Sequence, residues 1–161
     1  MILPAQHIRV RCAANPPLVS PFSERSTAEG LTYGLSPAGY DVRIDQDVTV
    51  SPTSYRGSFQ LASTIERFVM PNALMAIVHD KSTWVRQGLV VQNTVIEPGW
   101  SGYLTLELSN CSDQVIMIRR GTPIAQIVFH MLVQATDQVY EGRYQNQDPG
   151  PQQARLIRET E

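Results

Sequence analysis

Tyr103-Leu104-Thr105-Leu106-Glu107-Leu108-Ser109 is the stretch on which the reading of the fold turns. Its three leucines alternate with polar residues at the two-residue period of a half-buried strand, so the leucines face a core and Glu107 faces away from it. Outward in both directions the chain is built from short apolar runs cut by turn residues. Tyr40 to Ile44, Val48 to Val50, Phe59 to Ile65, and Phe68 to Val78 broken by Pro71 come before it. Val115 to Ile118, the turn Arg119-Arg120-Gly121-Thr122-Pro123, and Ile124 to Val133 come after. Eleven Pro and ten Gly in 161 residues favour many turns over long helices. The spacing predicts an all-β sandwich or barrel without internal repeats.

One short helix is expected in Asp80-Lys81-Ser82-Thr83-Trp84-Val85-Arg86-Gln87-Gly88, capped by Asp80 or Ser82 and ended by Gly88 in the left-handed conformation. Such a turn sets Ser82 and Arg86, four apart, on one face. From Arg11 to Gly39 the chain is rich in Pro, Ser, Ala and Gly without periodicity, which predicts a long irregular segment laid over the core. Beyond Ala135 it turns polar, so residues 1–134 read as the domain and 135–161 as a tail that is mobile unless it finds a partner.

Composition bounds the function. A length of 161 residues and a mass of 18.0 kDa fit one domain. With 42% hydrophobic and 17% charged residues and a mean hydropathy of −0.17, the chain is neither disordered nor membrane-like. Thirteen Lys and Arg against fifteen Asp and Glu lack the basic excess that holds a nucleic acid backbone, so a phosphate-bearing ligand must be gripped locally. Cys12 and Cys111 have no CxxC partner, which points to reduced thiols, not a disulfide framework or zinc site. The start lacks the apolar run of a signal peptide, and the greasy stretch Ile127 to Val133 is interrupted by His130. The chain therefore reads as cytoplasmic, without a membrane or nucleic acid partner.

Three groupings carry chemistry. Lys81 to Arg86 combines a helix start, hydroxyls and two cations, the parts of an anion site; a capped surface turn with solvated charges has the same composition. Glu97, in Val95-Ile96-Glu97-Pro98-Gly99-Trp100-Ser101-Gly102, precedes Glu107 by ten residues. If Glu97 to Gly102 is a β-hairpin turn, both carboxylates approach one pocket, where one can act as general acid and base; otherwise they are a turn Glu and an exposed strand Glu. The tail residues Tyr140-Glu141-Gly142-Arg143-Tyr144-Gln145-Asn146-Gln147 offer aromatic and amide groups that can close over a nucleotide, or form a polar tail without a role. Isolated histidines and the missing H-x-E and P-C-x-x-C patterns argue against zinc-activated water. P-loop, dinucleotide-binding and serine-hydrolase motifs are also missing.

In this order and spacing the groupings resemble the dCTP deaminase branch of the trimeric dUTPase superfamily. Ser36-Pro37-Ala38-Gly39-Tyr40-Asp41-Val42-Arg43 is similar to the family's S-x-x-x-Y-D-[LV]-R strand, and Lys81-Ser82-Thr83-Trp84-Val85-Arg86-Gln87-Gly88-Leu89 to its R-S-S-x-x-R-x-G-[LV] turn. Pro98-Gly99-Trp100-Ser101-Gly102 leading to Thr105-Leu106-Glu107, then Gly121-Thr122-Pro123-Ile124-Ala125-Gln126 and Arg143-Tyr144-Gln145-Asn146-Gln147, complete it. The resemblance implies a dUTPase-like distorted β-barrel or jelly-roll with one short helix and a mobile C-terminal tail closing over the site. It implies deamination of dCTP to dUTP and ammonia, with Glu107 as proton shuttle and Ser82 and Arg86 orienting the attacking water. Lys81, Ser82, Thr83, Trp84, Val85, Arg86, Gln126, Tyr140, Arg143 and Gln147 match positions holding triphosphate and base. Glu97, Thr105, Leu106 and Glu107 match positions at sugar and base. A homotrimer with sites between subunits, Mg²⁺ carried by the triphosphate, no zinc, and dUTP and an inhibitory dTTP as further ligands are implied as well.

Three departures from the pattern stand out. Lys81 replaces the usual Arg and loses its bidentate fork, and Glu97 replaces the usual Asp. Only Val95 and Ile96 separate Thr94 from Glu97, a length similar to that of true dUTPases, whose Asp activates water on the α-phosphate. Hydrolysis of dUTP to dUMP and pyrophosphate, alone or after deamination, is therefore the alternative activity.

Overall fold

A computed structural model describes residues 1–52 and 58–156. The leucine strand is realised as β10 (Ser101–Asn110), in which buried and half-exposed residues alternate without a break. It pairs antiparallel with β6 (Phe59–Val69), with an irregularity between Tyr103 and Thr105, and near its end with β8 (Leu89–Val91). The two-residue β1 (Val19–Ser20) covers the outer edge of β6, giving a four-stranded sheet ordered β1-β6-β10-β8.

A six-stranded antiparallel sheet faces it, ordered β2-β3-β4-β12-β7-β9. Its members are β2 (Ser26–Ala28), β3 (Leu31–Ser36), β4 (Gly39–Arg43), β7 (Leu74–Asp80), β9 (Val95–Ile96) and β12 (Pro123–Met131). A separate ribbon joins β5 (Val48–Val50) to β11 (Ile116–Ile118). The sheets do not close into a barrel; the fold is a distorted β-sandwich. Phe68 of β6 meets Phe129 of β12 with ring centroids 6.4 Å apart, and Tyr40, Leu106, Leu108 and Ile127 are buried with them. Burying each such side chain stabilises the fold by about 1.5–3 kcal/mol.

A buried ion pair also ties the sheets. Glu66 of β6 accepts from Arg43 of β4 through Nε (2.8 Å) and the backbone N–H (2.9 Å), and the guanidinium lies 4.3 Å from the Tyr33 ring centroid. Burial nevertheless raises the Glu66 carboxyl above its ordinary pKa, because desolvation outweighs what Arg43 returns. This pair explains one departure from expectation. The apolar run after Phe59 breaks at Glu66-Arg67, yet the strand continues to Val69 because the charge at Glu66 is buried against a partner.

Other expectations are corrected. The described residues hold two helices, not one: α1 (Ala5–Cys12) precedes the sheets, with only Ile8 and Cys12 buried. One apolar pair four apart, with no acidic first turn, is too faint a helical signal to read in sequence. Arg11 to Gly39 is not irregular throughout, since it contains β1, β2 and β3. The expected helix is α2 (Ser82–Val85), but its cap position is Lys81, without a side-chain cap bond. Asp80 instead accepts from the Val91 N–H at 2.6 Å, fixing α2 against β8. Gly88 takes positive φ (+89°) as expected, and a Cβ there would lie 2.7 Å from the Ser112 Cβ.

Candidate active site

The site is built on the outer face of the four-stranded sheet. Strand alternation puts Thr105 and Glu107 of β10 on the face that carries Phe59 and Leu61 of β6, away from the leucine core. These residues line a cavity of about 580 Å³, together with Ile96, Glu97, Trp100 and Leu104. Thus Glu97 and Glu107 line one cavity. The turn that brings Glu97 there is not a β-hairpin, however. β9 pairs with β7 in the six-stranded sheet, so Glu97 to Gly102 crosses between sheets, held by the Trp100 N–H to Glu97 carbonyl bond (3.1 Å) and the Gly99 N–H to Met70 carbonyl bond (3.1 Å).

The tail borders the cavity, and it finds its partner in its own chain. Between Tyr103 and Ser101 the edge of β10 away from β6 has no strand of the described residues beside it, because β8 reaches only Leu108. An open edge leaves backbone groups to be satisfied, and the tail satisfies them. The Tyr103 N–H donates to the Gln147 carbonyl (3.0 Å), and the Gln147 side-chain amide donates to the Tyr103 carbonyl (2.8 Å). The Trp100 indole donates to the Tyr144 carbonyl (2.6 Å), and Gln145 donates to the Gly99 carbonyl (2.8 Å). Tyr140, Tyr144, Gln147 and Gln152 consequently form the lid side of the cavity.

Electrostatics single out Glu107. Its Oε2 is buried with no hydrogen-bond partner among the described residues, and burial raises the carboxyl pKa, opposed only by the residue's own backbone N–H. A carboxyl in this setting, among Trp100, Tyr140 and apolar side chains, can give and take a proton against a flat ring.

The remaining candidate residues lie elsewhere on the chain. None of Lys81, Ser82, Thr83, Trp84, Val85, Arg86, Gln126 or Arg143 lines the large cavity, and no Lys, Arg or His is among its described lining residues. Lys81 Nζ is 2.7 Å from Asp41 Oδ2 and also donates to the Thr32 hydroxyl (3.4 Å). Trp84 is buried and donates to the Pro123 carbonyl (2.8 Å), and with Thr83 it borders a smaller hollow of about 240 Å³. Ser82, Val85 and Arg86 are exposed, and Gln126 donates to the Ser36 hydroxyl (3.1 Å). The Leu106 side chain points into the core. Exposed Arg143 donates to the Arg155 carbonyl.

Comparison with known proteins bears on this arrangement. The family model described as "dCTP deaminase-like" matches residues 53–132. A dCTP deaminase of Anaplasma phagocytophilum is 33% identical over 91% of this chain and 94% of its own, and one of Campylobacter lari is 33% identical over 81% and 86%. This chain belongs to the dCTP deaminase-like family. The fold agrees with solved structures of low identity. A 2′-deoxycytidine 5′-triphosphate deaminase from Agrobacterium tumefaciens matches with TM-score 0.60 at 19% identity, covering 81% of this chain and 48% of that one. Native EIAV dUTPase matches with TM-score 0.56 at 17% identity, covering 78% and 98%.

Within this family frame, several wall residues carry no expectation from sequence, Phe59, Leu61, Trp100, Leu104 and Gln152, whereas Tyr144 belongs to the tail grouping expected to close over a nucleotide. Parity was the available signal for two of them, since odd-numbered β6 residues share the face of odd-numbered β10 residues across the Glu107–Leu61 pairing. Gln152 gave no signal, because a loop residue's neighbours depend on the path of the docked tail.

Proposed function

We propose that the protein hydrolyses the C4 amino group of dCTP, giving dUTP and ammonia. The observation that carries this is Glu107: a carboxyl with a buried, unpartnered oxygen and a raised pKa, on the wall of an aromatic-lined cavity. In this reading Glu107 takes a proton from water and delivers it to ring N3 as the hydroxide adds at C4; it then carries the remaining hydroxyl proton to the amino nitrogen, so that C4 becomes a carbonyl, the C4–N bond breaks and ammonia leaves. Ser82 and Arg86 orient the water and stabilise the developing charge. Lys81, Thr83, Trp84, Val85, Gln126, Tyr140, Arg143 and Gln147 hold the nucleotide, with Glu97, Thr105 and Leu106 at sugar and base.

Two clusters separated on one chain fit a site completed by another subunit. The cavity with Glu107 has no cation among its described lining residues, yet a triphosphate needs several; a homotrimer would bring the Lys81 to Arg86 turn of one copy over the cavity of the next. Mg²⁺ belongs to the substrate here, held by triphosphate oxygens. No group of three or more metal-ligating side chains occurs among the described residues. The free thiols of Cys12 and Cys111 suit a cytoplasmic enzyme, and among the described residues no helix is long and apolar enough to cross a membrane. The described part of the 135–161 tail, residues 135–156, acts as the lid of the domain assigned to 1–134.

Chromatography of separate dCTP and dUTP reactions with Mg²⁺ tests the reading. Ammonia and dUTP from dCTP are expected; intact dCTP would overturn it. Glu97 in the same cavity favours a second activity, for which dUMP and pyrophosphate would be the products.

A further inference from the structure

Thr105 precedes Glu107 by two residues on the same face of β10 and lines the same cavity. Its hydroxyl oxygen accepts two hydrogen bonds from the tail: from the Gln147 side-chain amide at 2.7 Å and from the backbone N–H of Gln152 at 3.0 Å. Neither can be reversed. A backbone N–H only donates, and the Gln147 amide is fixed nitrogen-inward because the same nitrogen also donates to the Tyr103 carbonyl, which only accepts. A hydroxyl oxygen has two lone pairs and one hydrogen, so with both lone pairs occupied its hydrogen must point elsewhere. Among the described residues no hydrogen bond takes it.

We propose that the docked tail fixes Thr105 as a hydrogen-bond donor into the cavity, where it reads the 2-oxo group of the pyrimidine. The proposal rests on the deaminase reading, in which ring N3 belongs to Glu107; the adjacent acceptor on a 4-aminopyrimidine is then O2. Gln152, and Gln147 through its side-chain nitrogen in addition to its place beside the nucleotide, position the Thr105 hydroxyl, so closing the lid and reading the base are one event. With the tail undocked, the hydroxyl can rotate and accept or donate freely, and the discrimination is lost.

The test compares binding of dCTP and of its 2-thio analogue, whose thiocarbonyl is a poor acceptor, by calorimetry, with ammonia release measured separately. Wild type should bind dCTP about 5- to 10-fold more tightly than the analogue, the worth of one neutral hydrogen bond. Thr105→Val should bring that ratio close to one, Thr105→Ser should restore it, and Gln147→Leu should lower it. Equal affinity of wild type for both ligands would overturn the proposal. So would a Thr105→Val protein that weakens both ligands by the same factor, or a Gln147→Leu protein with the wild-type ratio. Failure of wild type to release ammonia while the binding ratios hold would instead remove the deaminase reading and leave the fixed donor standing.

Discussion

Glu107 combines a strand position that needs no special sequence with a protonation behaviour that depends entirely on its surroundings. Its isosteric replacement Glu107→Gln keeps the shape but can neither accept nor return a proton, so ammonia release should fall by at least about 100-fold while dCTP binding persists. Unchanged turnover would remove Glu107 from the chemistry. The raised pKa also fixes the direction of a pH dependence. If ionised Glu107 starts the reaction, kcat/KM should rise with pH through a midpoint above the ordinary value of about 4.5. Folding follows the opposite sense. A carboxyl whose folded pKa is raised loses stability as pH climbs from the unfolded toward the folded value. Glu107→Gln should therefore melt above wild type at about pH 7, with the difference vanishing toward about pH 4. An equal difference at both pH values would show that the shift does not come from this carboxyl.

Between elements, two contacts decide how the site is held. Glu66 joins β6 to β4 through Arg43, and its removal leaves a largely buried guanidinium without its partner. Glu66→Ala should cost about 3–5 kcal/mol in denaturant unfolding; a loss below about 1 kcal/mol would mean that water replaces the carboxylate. Gly102 decides the tail. Its φ is +142°, and an added Cβ would lie 2.6 Å from the Gln147 backbone nitrogen. Gly102→Ala should push the tail from the β10 edge, raising KM for dCTP and exposing residues after Gln134 to limited proteolysis. Wild-type KM and protease resistance would show that the tail tolerates the extra methyl.

For the whole molecule, the separation of Glu107 from Ser82 and Arg86 is the decisive feature. Glu107→Gln and Arg86→Ala proteins should each be inactive as homogeneous preparations. If each site takes Glu107 from one copy and Arg86 from a neighbour, random mixed trimers should recover about a quarter of wild-type activity. No recovery after unfolding and reassembling the mixture would place both residues in one chain's site.

Much of this could be read from the residues. The period-two leucines fixed β10 and the outward side of Glu107, and runs such as Val48–Val50 became strands with the same bounds. Local sequence was blind where a distant partner supplied the reason: Glu66 sits inside a strand because Arg43, on another sheet, neutralises it, and α1 is helical on the strength of two buried contacts. The site divides the same way. Sequence order named Glu97 and Glu107 as a pair, but the crossing between sheets, not a hairpin, is what puts them in one cavity. The periodicity of the chain thus determined which face each strand residue takes, because alternation is a property of the extended backbone itself. Only the tertiary structure decided that Glu107 is desolvated and that the tail lies on the β10 edge to fix the Thr105 hydroxyl, because burial and hydrogen-bond polarity are set by atoms far away along the chain.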